Sequence, residues 1–186
     1  MLTTFRQSFK TLVQSQNDDL PTGLLIDMVI NPDTGIFEAF WVKSMDGHKL
    51  LMPKDIISWN GEQITINDSN VLSLPKELPR LKKIFEKECS ILKAKVYDRA
   101  HQKTLGTVRD FTFDTISPRI LALEVEKNWL GFGRHRIPQH RIISIKPDGI
   151  TVDSSVLKTE TKIEKVKKKI PALDVPELNG PTRKDK

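Results

Sequence analysis

Two aspartates, Asp27 and Asp110, stand at matching places in two stretches of similar sequence. Converging carboxylates can divide acid and base roles when one of them is held protonated. The same residue at the same point of a repeat is also what a turn or a backbone hydrogen bond demands, and that structural explanation is the one adopted. The four histidines are His48, His101, His135 and His140. His135 and His140 flank Pro138, and no carboxylate or cysteine shares a metal-site spacing with them. They read as loop residues, and neither a metal nor a cofactor is expected. Gly131-Phe132-Gly133 lacks the third glycine and the strand-to-helix setting of a dinucleotide site. No nucleophile elbow, phosphate loop or zinc-protease pattern occurs. The expectation is a protein that is not an enzyme and takes no small-molecule substrate.

The residues that suit recognition lie elsewhere. Asn128 to Arg136 reads Asn-Trp-Leu-Gly-Phe-Gly-Arg-His-Arg, where the earlier stretch has the polar turn Lys43 to Lys49. Trp129, Phe132, Arg134 and Arg136 suit an exposed docking tip, because Trp and Arg are favoured anchors of protein interfaces. Arginine beside aromatics also suits RNA stacking and phosphate contact. The plainer reading is that Trp129 and Phe132 fold back onto the neighbouring barrel or the bridging helix. Lys165, Lys167, Lys168 and Lys169 put four lysines in five residues. They suit RNA or an anionic membrane surface, or simply a solvated helix face.

The elements that carry these residues are written twice. Gly23-Leu24-Leu25-Ile26-Asp27 returns as Gly106-Thr107-Val108-Arg109-Asp110, and Asp55-Ile56-Ile57-Ser58 returns as Arg141-Ile142-Ile143-Ser144. A repeat of this length sets the building unit. The offset is 83 residues at Gly23/Gly106, 85 at Pro53/Pro138 and 86 at Ile64/Ile150. Small loop insertions account for that drift. Each copy predicts strands: Phe9 to Val13, Leu24 to Ile30, Ile36 to Val42, Lys49 to Met52 and Ile64 to Ile66 in the first, with Leu92 to Tyr97, Gly106 to Asp114, Arg119 to Glu126 and Ile150 to Val152 among those of the second. Asn31-Pro32-Asp33-Thr34-Gly35 is a strong turn between two of them. Between the copies, Pro79 to Glu88 predicts a helix, with Leu78, Leu81, Ile84 and Phe85 on one face.

Composition bounds the rest. Hydrophobic residues make up 38% of the 186, enough for a packed core. One cysteine, Cys89, excludes an internal disulfide and an all-cysteine metal site. The net charge is +6, of which residues 156–186 supply +4, with nine Lys/Arg against five Asp/Glu. The remainder of the chain is nearly balanced, so the basic character says little about its surface. No stretch suits a signal peptide or a membrane span, and a cytoplasmic location is expected.

In their order, these motifs resemble the PRC-barrel, a compact β domain. A Gly opens a strand with an Asp four residues on (Gly23/Asp27, Gly106/Asp110), and a second acidic or amide position follows (Asn31, Asp114). A hairpin leads to an apolar strand and a Pro-containing step at Pro53 and Pro138. Ile-Thr-Ile or Ile-Thr-Val closes the unit. The resemblance implies a mainly all-β chain of two tandem PRC-like β-barrels, over residues 1–76 and 90–155. A helical linker would span 77–89 and a partly disordered basic tail 156–186. It also implies a non-catalytic adaptor that docks on a protein or ribonucleoprotein partner. The alternatives are an RNA-associated ribosome-assembly factor, or a peripheral membrane-surface protein acting through the tail.

Overall fold

The computed structural model describes residues 1–99, 103–127 and 133–153. Residues 1–154 form one compact unit, and it is mainly β. The chain opens with β1 (Leu2–Thr4) and the single turn α1 (Phe5–Ser8). A six-stranded sheet follows, built from β2 (Leu12–Ser15), β3 (Gly23–Ile30), β4 (Phe37–Ser44), β5 (Gly47–Leu51), β6 (Ile56–Trp59) and β7 (Gln63–Ile66). After α2 (Lys82–Glu86) comes a second sheet. It contains β8 (Lys95–Asp98), β9 (Thr104–Asp114), β10 (Ile120–Glu126), β11 (Arg134–Pro138), β12 (Ile142–Lys146) and β13 (Gly149–Val152).

The two sheets share one plan. The first runs β5-β4-β3-β2-β7-β6 and the second β11-β10-β9-β8-β13-β12, so each strand of one has a counterpart six places later. In both, the first strand lies parallel to the last, with β2 on β7 and β8 on β13, while the other neighbours are antiparallel. The matching apolar positions point inward in both: Leu25, Ala39, Val42 and Ile64 in one sheet, Val108, Ala122, Val125 and Ile150 in the other, are all buried. Alternation of this kind places one face of each strand in the core.

The ladders are curled but do not close. β5 and β6 end the first sheet, and β11 and β12 end the second. Closed barrels were the expectation. Instead, the chain leaves β5 through a one-turn 3-10 segment, Pro53–Asp55, and leaves β11 through Gln139–Arg141. Proline cannot donate to a ladder, and β5 stops before Pro53 while β11 ends on Pro138, opposite Ala122. Among the described residues the outer edge of β5 is met only by an isolated bridge, in which Leu50 and Ser73 exchange N–H to O bonds of 2.8 and 2.9 Å.

Several bounds differ from those expected. β2 starts at Leu12 rather than Phe9, because Lys10 has a φ of 68°, which breaks an extended run. β8 starts at Lys95 rather than Leu92 for the same reason, since Lys93 has a φ of 64°. The linker forms a 3-10 turn, Pro79–Leu81, that continues into α2 and stops at Glu86. Glu88, with a φ of 47°, takes the chain out of helical geometry. Leu78, Leu81, Ile84 and Phe85 pack on Val29, Ala39, Leu50 and Met52 of the first sheet.

The sheets meet through aromatic rings. Phe37 of β4 lies 5.9 Å from Phe111 and 5.1 Å from Phe113, both of β9. Trp59 of β6 bridges Phe40 at 5.5 Å and Phe113 at 5.6 Å. Offset and edge-on pairs at such spacings add to the burial of the rings themselves. The expected tail, 156–186, lies outside the described residues. Among the described residues no helix is long and apolar enough to cross a membrane.

Candidate docking surface

Asp27 and Asp110 occupy the same local geometry. Each follows a register irregularity, between Leu25 and Asp27 on β3 and between Val108 and Asp110 on β9. At such a bulge the extra residue loses its ladder partner. Each carboxylate accepts the N–H of the next residue, Met28 at 2.8 Å and Phe111 at 2.9 Å. Gly23 and Gly106 serve close strand approach. A Cβ on Gly23 would lie 2.7 Å from the Lys43 carbonyl oxygen, and one on Gly106 would lie 2.2 Å from that of Glu126.

The surroundings of the two aspartates then diverge. Asp110 also accepts the N–H of Arg6 at 3.2 Å. The residue that makes this possible is Thr4. Its side chain caps α1 by accepting the Gln7 N–H, and Gln7 returns the contact, forming a capping box. β1 pairs with β9 from Leu2 opposite Asp114 to Thr4 opposite Thr112, which brings α1 across the second sheet. Phe5 completes the seal 5.4 Å from Phe111. The cleft there, of about 480 Å³, is lined by Arg6, Arg109 and Arg134 against Asp110, Glu124 and Glu126. Its charges compensate internally: Arg109 pairs with Glu126, and Arg136 with Glu124 at 3.6 Å.

Asp27 borders a different cleft, of about 370 Å³, walled by Trp41, Ile84 and Phe85. The carboxylate keeps an open side to solvent, but the walls remove water from the rest of it. That burial raises its pKa above the ordinary value, and the Met28 N–H only partly offsets it. The two aspartates therefore border separate clefts and form no acid–base pair. Cys89 also lines the Asp27 cleft. Burial raises its pKa, with Lys87 opposing, which favours the thiol over the reactive thiolate.

The remaining expected residues separate. Arg134 and Arg136 lie on β11, an edge strand, with both side chains exposed. Their neighbours Trp129 and Phe132 lie outside the described residues, as do His101 and Lys165, Lys167, Lys168 and Lys169. His48 and His140 are exposed and His135 is half-buried on β11. No group of three or more metal-ligating side chains occurs among the described residues.

Sequence reading missed β1, α1 and the cleft walls. The Thr4-x-x-Gln7 spacing was the available sign of the first turn. β1 is only three residues long and pairs with a strand more than a hundred positions away, so nothing local marks it.

Strand order, bulge and Gly–Asp spacing now define the second sheet. Residues 87–157 match the PRC-barrel domain. One such domain is matched, and it spans β8 to β13. No curated protein matches the chain. The PRC-barrel segment thus carries β11 and its exposed arginines.

Proposed function

We propose that the chain is a non-catalytic docking protein in which two PRC-barrel-like units, one of them the matched segment, hold a surface for a protein or ribonucleoprotein partner. The first sheet is read as the second unit on the strength of its identical strand order and its Gly23/Asp27 bulge. The observation that carries the docking reading is β11. It is an edge strand of the PRC-barrel segment, and among the described residues it pairs only with β10. An open edge offers backbone donors and acceptors to an extended partner segment, and Arg134 and Arg136 flank that edge with charge.

The test is affinity capture with the native chain and with the double variant Trp129→Ala, Arg134→Ala, each with and without nuclease. The reading expects a specific protein retained after nuclease and weakened by the double variant, with the thermal midpoint nearly unchanged. A partner lost on nuclease treatment points instead to an RNA-associated factor. A large drop in thermal midpoint places the loop in the core and removes the docking assignment.

A further inference from the structure

The duplicated plan allows each cleft to be compared with its counterpart. The Asp110 carboxylate is already engaged by the chain itself, since the Arg6 N–H reaches it, and Phe5 packs beside Phe111. At the 83-residue offset, Phe5 and Arg6 correspond to Glu88 and Cys89, and Phe111 to Met28. Here no helical turn forms, because Glu88 takes a φ of 47°. The Asp27 carboxylate is left with the Met28 N–H, and among the described residues no cation pairs with it. Where Asp110 faces Glu124 across the strand pair, Asp27 faces Trp41. Trp41 is joined by Phe85 with ring centroids 6.0 Å apart. An open carboxylate beside an indole and a phenyl ring is the chemistry that receives a cationic side chain: the head pairs with the carboxylate and stacks on the ring.

We propose that the Asp27 cleft is a binding site for an arginine or lysine side chain of a partner protein, with the carboxylate taking the charged head and Trp41, Ile84 and Phe85 taking the aliphatic stem. The site is lined by β3, Trp41, α2, the 88–93 segment with Glu88 and Lys93, and Phe111 of β9; it includes no residue of β11 and goes beyond the docking reading above. The cleft, at about 370 Å³, is roomy enough for one such side chain. The raised pKa of Asp27 agrees with this, since a partly desolvated carboxylate without a counter-ion gains most from an incoming cation. A lysine or arginine stem buries methylenes against apolar walls while its charge pairs at the end.

The test uses the isotope-labelled full chain and the probe N-acetylarginine methylamide, followed by amide and indole chemical shifts. Saturable shifts at the Met28 amide and the Trp41 indole are expected. The neutral citrulline analogue should bind about tenfold more weakly or worse. Asp27→Asn keeps a side-chain oxygen for the Met28 N–H, so it should fold normally and lose affinity by a similar factor. Methylguanidinium, which has no stem, should also bind more weakly than the peptide probe. Equal affinity for citrulline, undiminished affinity in Asp27→Asn, or methylguanidinium binding as tightly as the peptide would each overturn the proposal; the last would make the cleft a small-cation site. The Trp129/Arg134 capture experiment reads a different surface and stands or falls separately.

Discussion

Ile36 and Arg119, 83 residues apart, stand immediately before β4 and β10, and they pair with each other in an antiparallel bridge. The bonds around them are exchanged in kind. Phe37 N–H donates to the Pro118 oxygen at 2.9 Å, and its counterpart Ile120 N–H donates to the Gly35 oxygen at 3.0 Å. A residue that meets its own equivalent marks a local two-fold relation, as in a symmetric dimer interface. Each sheet also carries the same internal bond, Lys10 N–H to the Leu25 oxygen in one and Lys93 N–H to the Val108 oxygen in the other, with both lysines at positive φ. The two sheets are thus joined through backbone groups at the starts of β4 and β10, beside the aromatic cluster of Phe37, Phe111 and Phe113.

The first prediction concerns that cluster. Phe37 is 1% exposed and touches Phe40, Phe111 and Phe113. Phe37→Ala should cost about 3–5 kcal/mol, the range for deleting a buried aromatic. Because rings from both sheets line the vacancy, urea unfolding followed by tryptophan fluorescence and by circular dichroism should shift together in one transition. Two separated transitions, with only one of them moved, would show that the sheets do not share a core.

Gly106→Ala should be more damaging than Gly23→Ala. Both close strand approaches would be filled by a methyl group, but Gly106 also has a φ of +150° and faces the Glu126 carbonyl at 2.2 Å. Both positions meet a backbone carbonyl, which cannot yield as a side-chain tip can, and the approach at Gly106 is the closer. A loss of roughly 2–3 kcal/mol is expected at Gly106, near the upper end for single substitutions. Thermal midpoints of the two variants decide it, and equal midpoints would contradict the geometry.

Two aspartates should titrate in opposite directions. Burial lifts Asp27 above the ordinary value near 3.8. The Met1 ammonium, which bonds Asp114 at 2.9 Å, lowers Asp114 below it, with help from the Ile116 N–H. The folded state therefore holds the Asp27 proton more tightly than the unfolded chain does. Stability from this group grows as pH falls from above its folded pKa toward 3.8, and is lost as pH rises through that folded value. For Asp114 the contribution is present above 3.8 and is lost as pH falls toward the lower folded value. Carboxyl-carbon titration by NMR should give Asp27 the higher midpoint; the reverse order would refute the assigned environments. Asp27→Asn should be at least as stable as the parent at neutral pH.

Thr4→Ala removes the cap of α1, where the Thr4 side chain accepts the Gln7 N–H at 3.3 Å. A loss of about 1 kcal/mol is expected, typical of an N-cap. Faster exchange of the Arg6 amide should accompany it, because that N–H reaches Asp110 only while the turn is in place. An unchanged Arg6 exchange rate would mean that β1 alone positions the turn.

The parts legible in the sequence were those set by side chains at fixed spacing. Gly23/Gly106 and Asp27/Asp110 were readable because a close approach and a bulge each restrict residue type. The inward alternation from Leu25 to Val42 and from Val108 to Val125 was readable for the same reason. The Ile36–Arg119 bridge was not, since it is made by main-chain groups and its two side chains share no chemistry. The open ladder edges were hidden too: Pro53 and Pro138 mark an interruption, but not whether the sheet closes beyond it. The Asp27 cleft depends on Glu88 leaving helical geometry one residue after Lys87, and a helix pattern through Pro79 to Glu88 masks that exit.

The central claim is that the two sheets are joined through the backbone at the starts of β4 and β10, and amide hydrogen exchange at Phe37 and Ile120 tests it most directly. Both amides should exchange only through global unfolding, at matching rates that slow and quicken together across stabilising and destabilising conditions. Exchange at either position as fast as at the exposed turn residue Asp33 would contradict it.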